Sequence, residues 1–310
     1  MLKNKILELK EQKSALILAH YYQEDAIQEI ADFTGDSLAL SKRAQEAEND
    51  VIVFCGVHFM AETAKILNPT KKILLPDLEA GCSLADSCPA DAFAAFKKDY
   101  PDHFVVSYIN CTAEMKSLSD LICTSGNAVQ LVDALPKELK IIFAPDKNLG
   151  AYVNQQTGRE MVLWNGTCHV HDQLKTQFVM ELKMKHPDAQ VVAHPECSGP
   201  VLALANFTGS TAAMLKFVRQ NESKKFIIAS ETGILYQMKK ENPAKEFHIV
   251  PVDETCACND CMYMKYNTLE KLYDCLLNEK PQIFLPKNTI AKAQKPLDLM
   301  MKMSKSLKII

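Results

Sequence analysis

Similar stretches recur along this chain at a nearly constant interval, and any fold that accommodates them must itself repeat. The strand-like run Lys71-Lys72-Ile73-Leu74-Leu75-Pro76 leads to Glu79-Ala80-Gly81-Cys82-Ser83-Leu84. Val162-Leu163-Trp164-Asn165-Gly166-Thr167-Cys168 has the same order, and His248-Ile249-Val250-Pro251-Val252 leads into Cys256, Cys258 and Cys261. Cys82, Cys168 and Cys261 are separated by steps of 86 and 93 residues. Two further ladders keep pace with them. His20, Tyr108 and His194 end apolar runs at steps of 88 and 86, and Ser37, Ser125 and Ser210 open helical segments at steps of 88 and 85. Chance gives one such match, whereas three parallel ladders argue for triplication of one unit.

Apolar runs of three to five residues alternate with helical periodicity throughout, as at 15–19, 51–54, 73–75, 104–107, 141–144, 161–164, 190–193, 226–229 and 248–252. Short continuous apolar runs of this kind suit parallel strands buried on both faces. The predicted fold class is therefore α/β, built from small parallel-sheet layers. The units expected are 1–86 with an N-terminal helix, 87–172, and 173–310 with C-terminal helices over about 268–277 and 287–310. All three ladders fall at the carboxyl ends of strands, where such sheets bind ligands. Each unit thus offers one polar tip, one helix-start hydroxyl and one cysteine to a common centre. Unpaired N–H groups at the helix starts suit anionic ligands.

Composition excludes several classes. The chain has 310 residues, of which 47% are hydrophobic, enough for a large core. A net charge of −3 is mild and gives no support to a basic nucleic-acid face. No apolar run approaches the roughly 18 residues that span a membrane. The start Met1-Leu2-Lys3-Asn4-Lys5 lacks a signal-peptide core, so a cytoplasmic protein is expected. In that compartment eleven cysteines do not form a disulfide framework. Cys55, Cys123 and Cys275 read as apolar fillers, and Cys88, Cys111 and Cys197 as neighbours of site motifs rather than ligands.

Three thiolates converging from three units suit a soft metal. A structural zinc site takes four protein ligands. A [4Fe–4S] cluster on three cysteines leaves one iron open as a Lewis acid, suited to dehydration of a small hydroxy-acid. A lone Gly-Cys after a strand is more often a buried thiol, and Cys258-Asn259-Asp260-Cys261 alone is equally a redox or zinc signature. Single histidines such as His20 and His194 are most often structural. It is the shared register that points to ligand contact. Glu196, two residues beyond His194, is placed to act as a base. Other readings are a different cluster-dependent hydro-lyase and a non-enzymatic metal or cluster sensor.

Longer stretches carry a resemblance. Leu18-Ala19-His20-Tyr21-Tyr22-Gln23, Gly35-Asp36-Ser37, the block from Phe54 through Cys55-Gly56-Val57-His58-Phe59-Met60-Ala61-Glu62-Thr63-Ala64-Lys65, and Leu75-Pro76-Asp77-Leu78-Glu79-Ala80-Gly81-Cys82 resemble the quinolinate synthases, iron–sulfur enzymes of NAD biosynthesis. Tyr108-Ile109-Asn110, Pro145-Asp146-Lys147-Asn148-Leu149-Gly150, His194-Pro195-Glu196-Cys197 and Gly209-Ser210-Thr211 continue the match over nearly the whole chain. The resemblance implies three homologous α/β/α domains about a pseudo-threefold axis. It implies condensation of iminoaspartate with dihydroxyacetone phosphate to quinolinate, with release of phosphate and water, and an open-site [4Fe–4S] cluster as Lewis acid for dehydration. Cys82 and Cys168 are then two ligands. For the third, the Met-rich turn Met262-Tyr263-Met264-Lys265 favours Cys261, whereas the period favours Cys256. Some members carry a C-x-x-C here that forms a redox-sensitive disulfide, which would pair Cys258 with Cys261. His20, Ser37, Ser125, His194, Ser210 and Thr211 would hold carboxylates and phosphate. Tyr22, Tyr108, Asn110 and Glu196 would handle the triose portion and its protons, and Met60 would line the cavity. Aspartate oxidase is the implied partner, with no nucleic acid and no membrane.

Overall fold

The computed structural model describes residues 2–253 and 259–309. Among these residues twelve strands form three separate four-stranded sheets, all parallel. The first comprises β1 (Ala15–His20), β2 (Phe33–Gly35), β3 (Val51–Cys55) and β4 (Lys72–Leu74), in the order β2-β1-β3-β4. The second comprises β5 (Phe104–Tyr108), β6 (Leu121–Cys123), β7 (Ile141–Ala144) and β8 (Val162–Leu163), in the order β6-β5-β7-β8. The third comprises β9 (Gln190–Ala193), β10 (Phe207–Thr208), β11 (Lys225–Ala229) and β12 (Glu246–Ile249), in the order β10-β9-β11-β12. The α/β class and the threefold repetition both hold.

The physical repeat extends to single hydrogen bonds. In each unit the first strand is pinned to the turn before the second strand by one side chain. Ile17 N–H donates to Asp32, Val105 N–H to Asp120 and Val191 N–H to Asn206, each at 2.8 Å. The short second strands are too brief to hold themselves, and these clips supply what the ladder lacks. The central strands are buried on both faces, all six residues of β1 and all five of β3 included. That is why they read as unbroken apolar runs.

The largest core is shared by the inner faces of all three units, with Leu18, Phe54, Val106, Phe143, Val192 and Ile228 in one cluster. Each outer face has its own smaller core. The C-terminal helices follow the third unit in the chain but pack on the first two. Leu272, Cys275 and Leu276 of the helix Leu269–Asn278 join Ile6 and Ile17 behind the first sheet. The helix Lys287–Ser306 carries Leu297 and Met300 into the shared core, and its Ser304 Oγ accepts from Asn127 Nδ2 at 3.0 Å. Capping of Leu269–Asn278 falls to Thr268, whose hydroxyl accepts from Lys271 N–H, while Asn267 reaches across to the Gly56 carbonyl. Among the described residues no helix is long and apolar enough to cross a membrane.

In every sheet the chain leaves the first strand in one direction for the second and in the other for the third. Ligands bind beyond the carboxyl ends of strands at such a switch point. The three switch points face a common central cavity.

Candidate active site

The three cysteines reach the cavity through one repeated backbone arrangement. Val57, Asp146 and Glu231 each stand two residues past the third strand of their unit. In each case the following residue donates its N–H to the carbonyl two residues before a cysteine: His58 to Ala80 at 2.7 Å, Lys147 to Gly166 at 2.8 Å and Thr232 to Asn259 at 3.1 Å. Each cysteine then precedes a single four-residue helical turn, Ser83–Asp86, His169–Asp172 or Met262–Lys265. This arrangement makes Cys261 the structural counterpart of Cys82 and Cys168. The longer 93-residue step arises in the loop, because Cys261 lies twelve residues past β12 while Cys82 lies eight past β4 and Cys168 five past β8. Cys256 and Cys258 lie outside the described residues.

The thiols are electrostatically coupled. Burial pushes Cys82 up to about 12, and Cys261 adds to the rise. Burial pushes Cys261 up to about 11. Cys168 is raised well above the usual thiol range by burial, then by Glu196, Cys82 and Cys261. A bound cation reverses this cost, since metal coordination deprotonates a thiol outright. The donor set therefore fits a soft metal group. Cys168, His171 and Glu196 also bring one ligand atom each within 4.8 Å of one another, so residues of this cavity can hold a metal.

The polar tips surround the thiols. His20 ends β1, Tyr108 ends β5, and His194 follows β9. His20 Nδ1 accepts from Tyr22 N–H at 3.1 Å, and His194 Nδ1 accepts from Glu196 N–H at 3.3 Å. Burial holds both imidazoles down at about 3, so they are neutral near pH 7. With Nδ1 an acceptor, each ring carries its proton on Nε2.

Strand pairing corrects the hydroxyl ladder. His20 pairs with Gly35 and Tyr108 with Cys123, and Gly209 takes the same place beside β9. Ser37, Ser125 and Thr211 are therefore equivalent, and all three line the cavity. Ser210 is the counterpart of Asp36 and Thr124. It is not among the lining residues, and its hydroxyl donates to Asp36 Oδ2 at 3.2 Å, tying the third unit to the first.

Glu196 is fully enclosed at the seam of the second and third units. Its Oε2 lies 2.7 Å from His171 Nδ1, and Asn110 Nδ2 reaches Oε1 at 3.5 Å. Burial opposes ionisation here, but His194 and His171, with hydrogen bonds from His171 and Tyr108, outweigh it and hold the carboxyl at about 2. The His171 ring stacks on His194 with centroids 4.5 Å apart. Its Nε2 lies 3.2 Å from Ser230 Oγ, which meets the Tyr22 hydroxyl at 3.0 Å. The Tyr22 hydroxyl also meets Thr211 Oγ1 at 3.0 Å. Hydrogen bonds thus link Tyr22 to Ser230 and Ser230 to His171, and His171 in turn faces Glu196, so the chain of polar groups touches all three units.

The comparisons agree with this geometry. A family model described as "Quinolinate synthetase A protein" matches residues 4–302. A protein of Thermosynechococcus vestitus named "Quinolinate synthase" is 59% identical over 300 residues, covering 96% of this chain and 94% of its own length. A Synechocystis protein of the same name is 58% identical over 299 residues, again covering 96% and 94%. The chain belongs to the quinolinate synthase family.

Of the residues that the sequence suggested for a quinolinate synthase site, His20, Tyr22, Ser37, Met60, Tyr108, Asn110, Ser125, His194, Glu196 and Thr211 line the cavity together with the three cysteines. The cavity also holds residues that sequence reasoning did not reach, namely Asp36, Thr124, His171 and Glu231. His171 carried a usable signal, since it lies one helical turn past Cys168. Glu231 carried none, because its counterparts in the other units are Asp146 and Val57 and no common residue type marks the position.

Proposed function

We propose that this protein is a quinolinate synthase that condenses iminoaspartate with dihydroxyacetone phosphate, releasing phosphate and water. Its cofactor in this reading is a [4Fe–4S] cluster held by Cys82, Cys168 and Cys261. The observation that carries the reading is the single backbone arrangement that brings one thiol from each unit to the same cavity. When bound, such a cluster has one iron without a protein ligand, which supplies a Lewis acid for dehydration.

The chain's own residues bind and orient two anionic substrates. Neutral His20 and His194 each present an Nε2–H donor, and Ser37, Ser125 and Thr211 present hydroxyls beside helix starts. Donors of this kind suit carboxylate and phosphate oxygens. Burial raises the Tyr22 and Tyr108 hydroxyls well above the usual phenol range, so both remain proton donors at neutral pH. Glu196 takes the proton from substrate carbon. A carboxylate held near 2 is a weak base alone, and His171 at 2.7 Å fixes its orientation toward the substrate. Leu38, Val57, Phe59, Met60 and Val170 form the apolar part of the wall and limit water around reactive intermediates. Iminoaspartate arises by two-electron oxidation of aspartate, so an aspartate oxidase is the supplying partner in this reading.

The test is direct. Anaerobically purified protein should be brown, bleach in air, and form quinolinate from iminoaspartate and dihydroxyacetone phosphate. Cys82→Ser, Cys168→Ser and Cys261→Ser should each lose iron and activity. A colourless protein, or a brown one that makes no quinolinate, rejects the proposal.

A further inference from the structure

Two of the three corners share a device that the first lacks. Asp146 and Glu231 are both fully buried and occupy the same register position. Asp146 Oδ1 accepts from Leu149 N–H at 2.8 Å, and its Oδ2 accepts from Cys168 N–H at 3.1 Å. Glu231 Oε2 accepts from Gly233 N–H at 2.6 Å, and its Oε1 accepts from Cys261 N–H at 3.1 Å. Each carboxylate therefore grips two backbone donors at once. One belongs to the turn or helix that follows the third strand, and the other is the N–H of the cysteine itself. In the first unit the position is Val57, which has no acceptor side chain, and Cys82 is placed by the backbone alone.

We propose that Asp146 and Glu231 are positioning residues, two-pronged clips that fix Cys168 and Cys261 in the orientation that holds the metal group. The inference rests on the reading of these thiols as cluster ligands. The chemistry explains the residue type. Two N–H groups converging from separate segments need two acceptor oxygens. An amide has only one, and its NH2 would face the second N–H donor to donor. An Asp in one unit and a Glu in the other reach equivalent donors because the loops differ in length. Cys261 sits at the end of the longest of the three loops and has the longer clip. Glu231 is also tied to Lys265, whose Nζ lies 3.2 Å from Oε1 and donates to the Tyr22 carbonyl at 2.8 Å. The third corner is thereby fastened to the first unit as well as to its own strand.

The test uses the full chain, as purified and after anaerobic cluster assembly, with Asp146→Asn and Glu231→Gln. Asp120→Asn is the control. It alters another carboxylate that accepts a strand N–H, at a position where Asn206 serves in the third unit. Two quantities are read. The first is the rate at which a chelator removes iron from the assembled protein. The second is backbone amide exchange at Cys168 and Cys261 in the cluster-free chain. An unsatisfied buried N–H leaves the segment free to open, so exchange at the affected cysteine and iron release should each rise about tenfold or more. Exchange at Cys82 should not change, and Asp120→Asn should stay within twofold of the parent in both. The Glu231→Asp variant, which keeps two acceptors at shorter reach, should fall between Glu231→Gln and the parent. Iron release within twofold of the parent in both amide variants overturns the proposal. If the parent chain assembles no cluster, the reading of the thiols fails on that result, and unchanged amide exchange would then overturn the clips independently.

Discussion

Glu196 Oε2 and His171 Nδ1 face each other at 2.7 Å, one from the loop after β9 and the other from the turn after Cys168. Neither unit alone contains the pair. The proposed base exists only where the second and third repeats meet, and triplication of a simple α/β unit thus creates chemistry that no single unit holds.

Removing His171 should act on the acid side of the pH profile. His171 lowers the Glu196 carboxyl by charge and by hydrogen bonding, against the opposing effect of burial. In His171→Ala both contributions vanish, so the carboxyl titrates higher. The acid limb of kcat/KM should move to higher pH, and kcat at neutral pH should fall about 100-fold, within the range for a lost acid–base partner. An unmoved limb with the same fall in kcat would assign His171 to substrate contact instead.

Gly166 is expected to tolerate no side chain. A Cβ there would meet Ser87 Oγ and, at 2.5 Å, the Pro145 carbonyl, and backbone cannot move aside cheaply. The Gly166 carbonyl also receives Lys147 N–H and thereby sets the approach to Cys168. Gly166→Ala should lower stability by about 1–3 kcal/mol, the usual cost of overpacking. It should also reduce iron bound per chain. Urea unfolding and iron analysis on the same preparation check both.

Lys116 is a fully buried cation with a local task. Its Nζ donates to the carbonyls of Ile109, at 2.9 Å, and Cys111, and sits 5.3 Å from the Phe59 ring centroid. Those carbonyls flank Asn110, so the lysine holds the turn that delivers Asn110 toward Glu196. Burial raises the neighbouring Glu62 carboxyl, and Lys116 counters that rise. Lys116→Met leaves two carbonyls without a donor and the acid without its cation. The expected loss is about 2–4 kcal/mol by urea unfolding. A loss below about 1 kcal/mol would show that water replaces the ammonium.

The architecture was legible because β1, β3, β5, β7, β9 and β11 are buried on both faces and so appear as uninterrupted apolar runs. The edge strands β2, β6 and β10 were not: β2 and β10 are broken by threonine and glycine after a single phenylalanine, and β6 is only three residues long, so none forms an extended apolar run of the kind around β4 and β8. Their positions are fixed by Asp32, Asp120 and Asn206, whose spacing of 88 and 86 residues is visible only once the bond they make is known. The same limit displaced the hydroxyl ladder. Ser210 and Thr211 are adjacent hydroxyls, and residue type alone favours the serine, whereas strand register places Thr211 on the wall. The third cysteine was ambiguous for a related reason. Chain spacing measures loop length as well as register, and the bond from Thr232 N–H to Asn259 O separates the two.

Glu279 gives a pH dependence whose sign can be worked out. It follows the helix Leu269–Asn278 in a left-handed conformation, φ 52°, and binds Lys13 at 2.8 Å and also Lys72. Hydrogen bonds from Lys13 and Lys72, aided by their charges, hold its carboxyl down at about 2 from 4.5. A depressed carboxyl contributes stability that is fully present above its unfolded value and is lost as pH falls toward the folded one. The window is therefore from about 4.5 down to about 2. The side chain is three-tenths exposed, so solvent screening limits the contribution to about 1 kcal/mol. Glu279→Gln keeps the same left-handed backbone cost and removes only the charge. The stability gap between parent and variant should be about 1 kcal/mol at pH 7, shrink with added salt, and narrow steadily as pH drops below 4.5. A gap that stays constant to the lowest pH at which both chains fold would mean that the two lysines contribute through packing rather than charge.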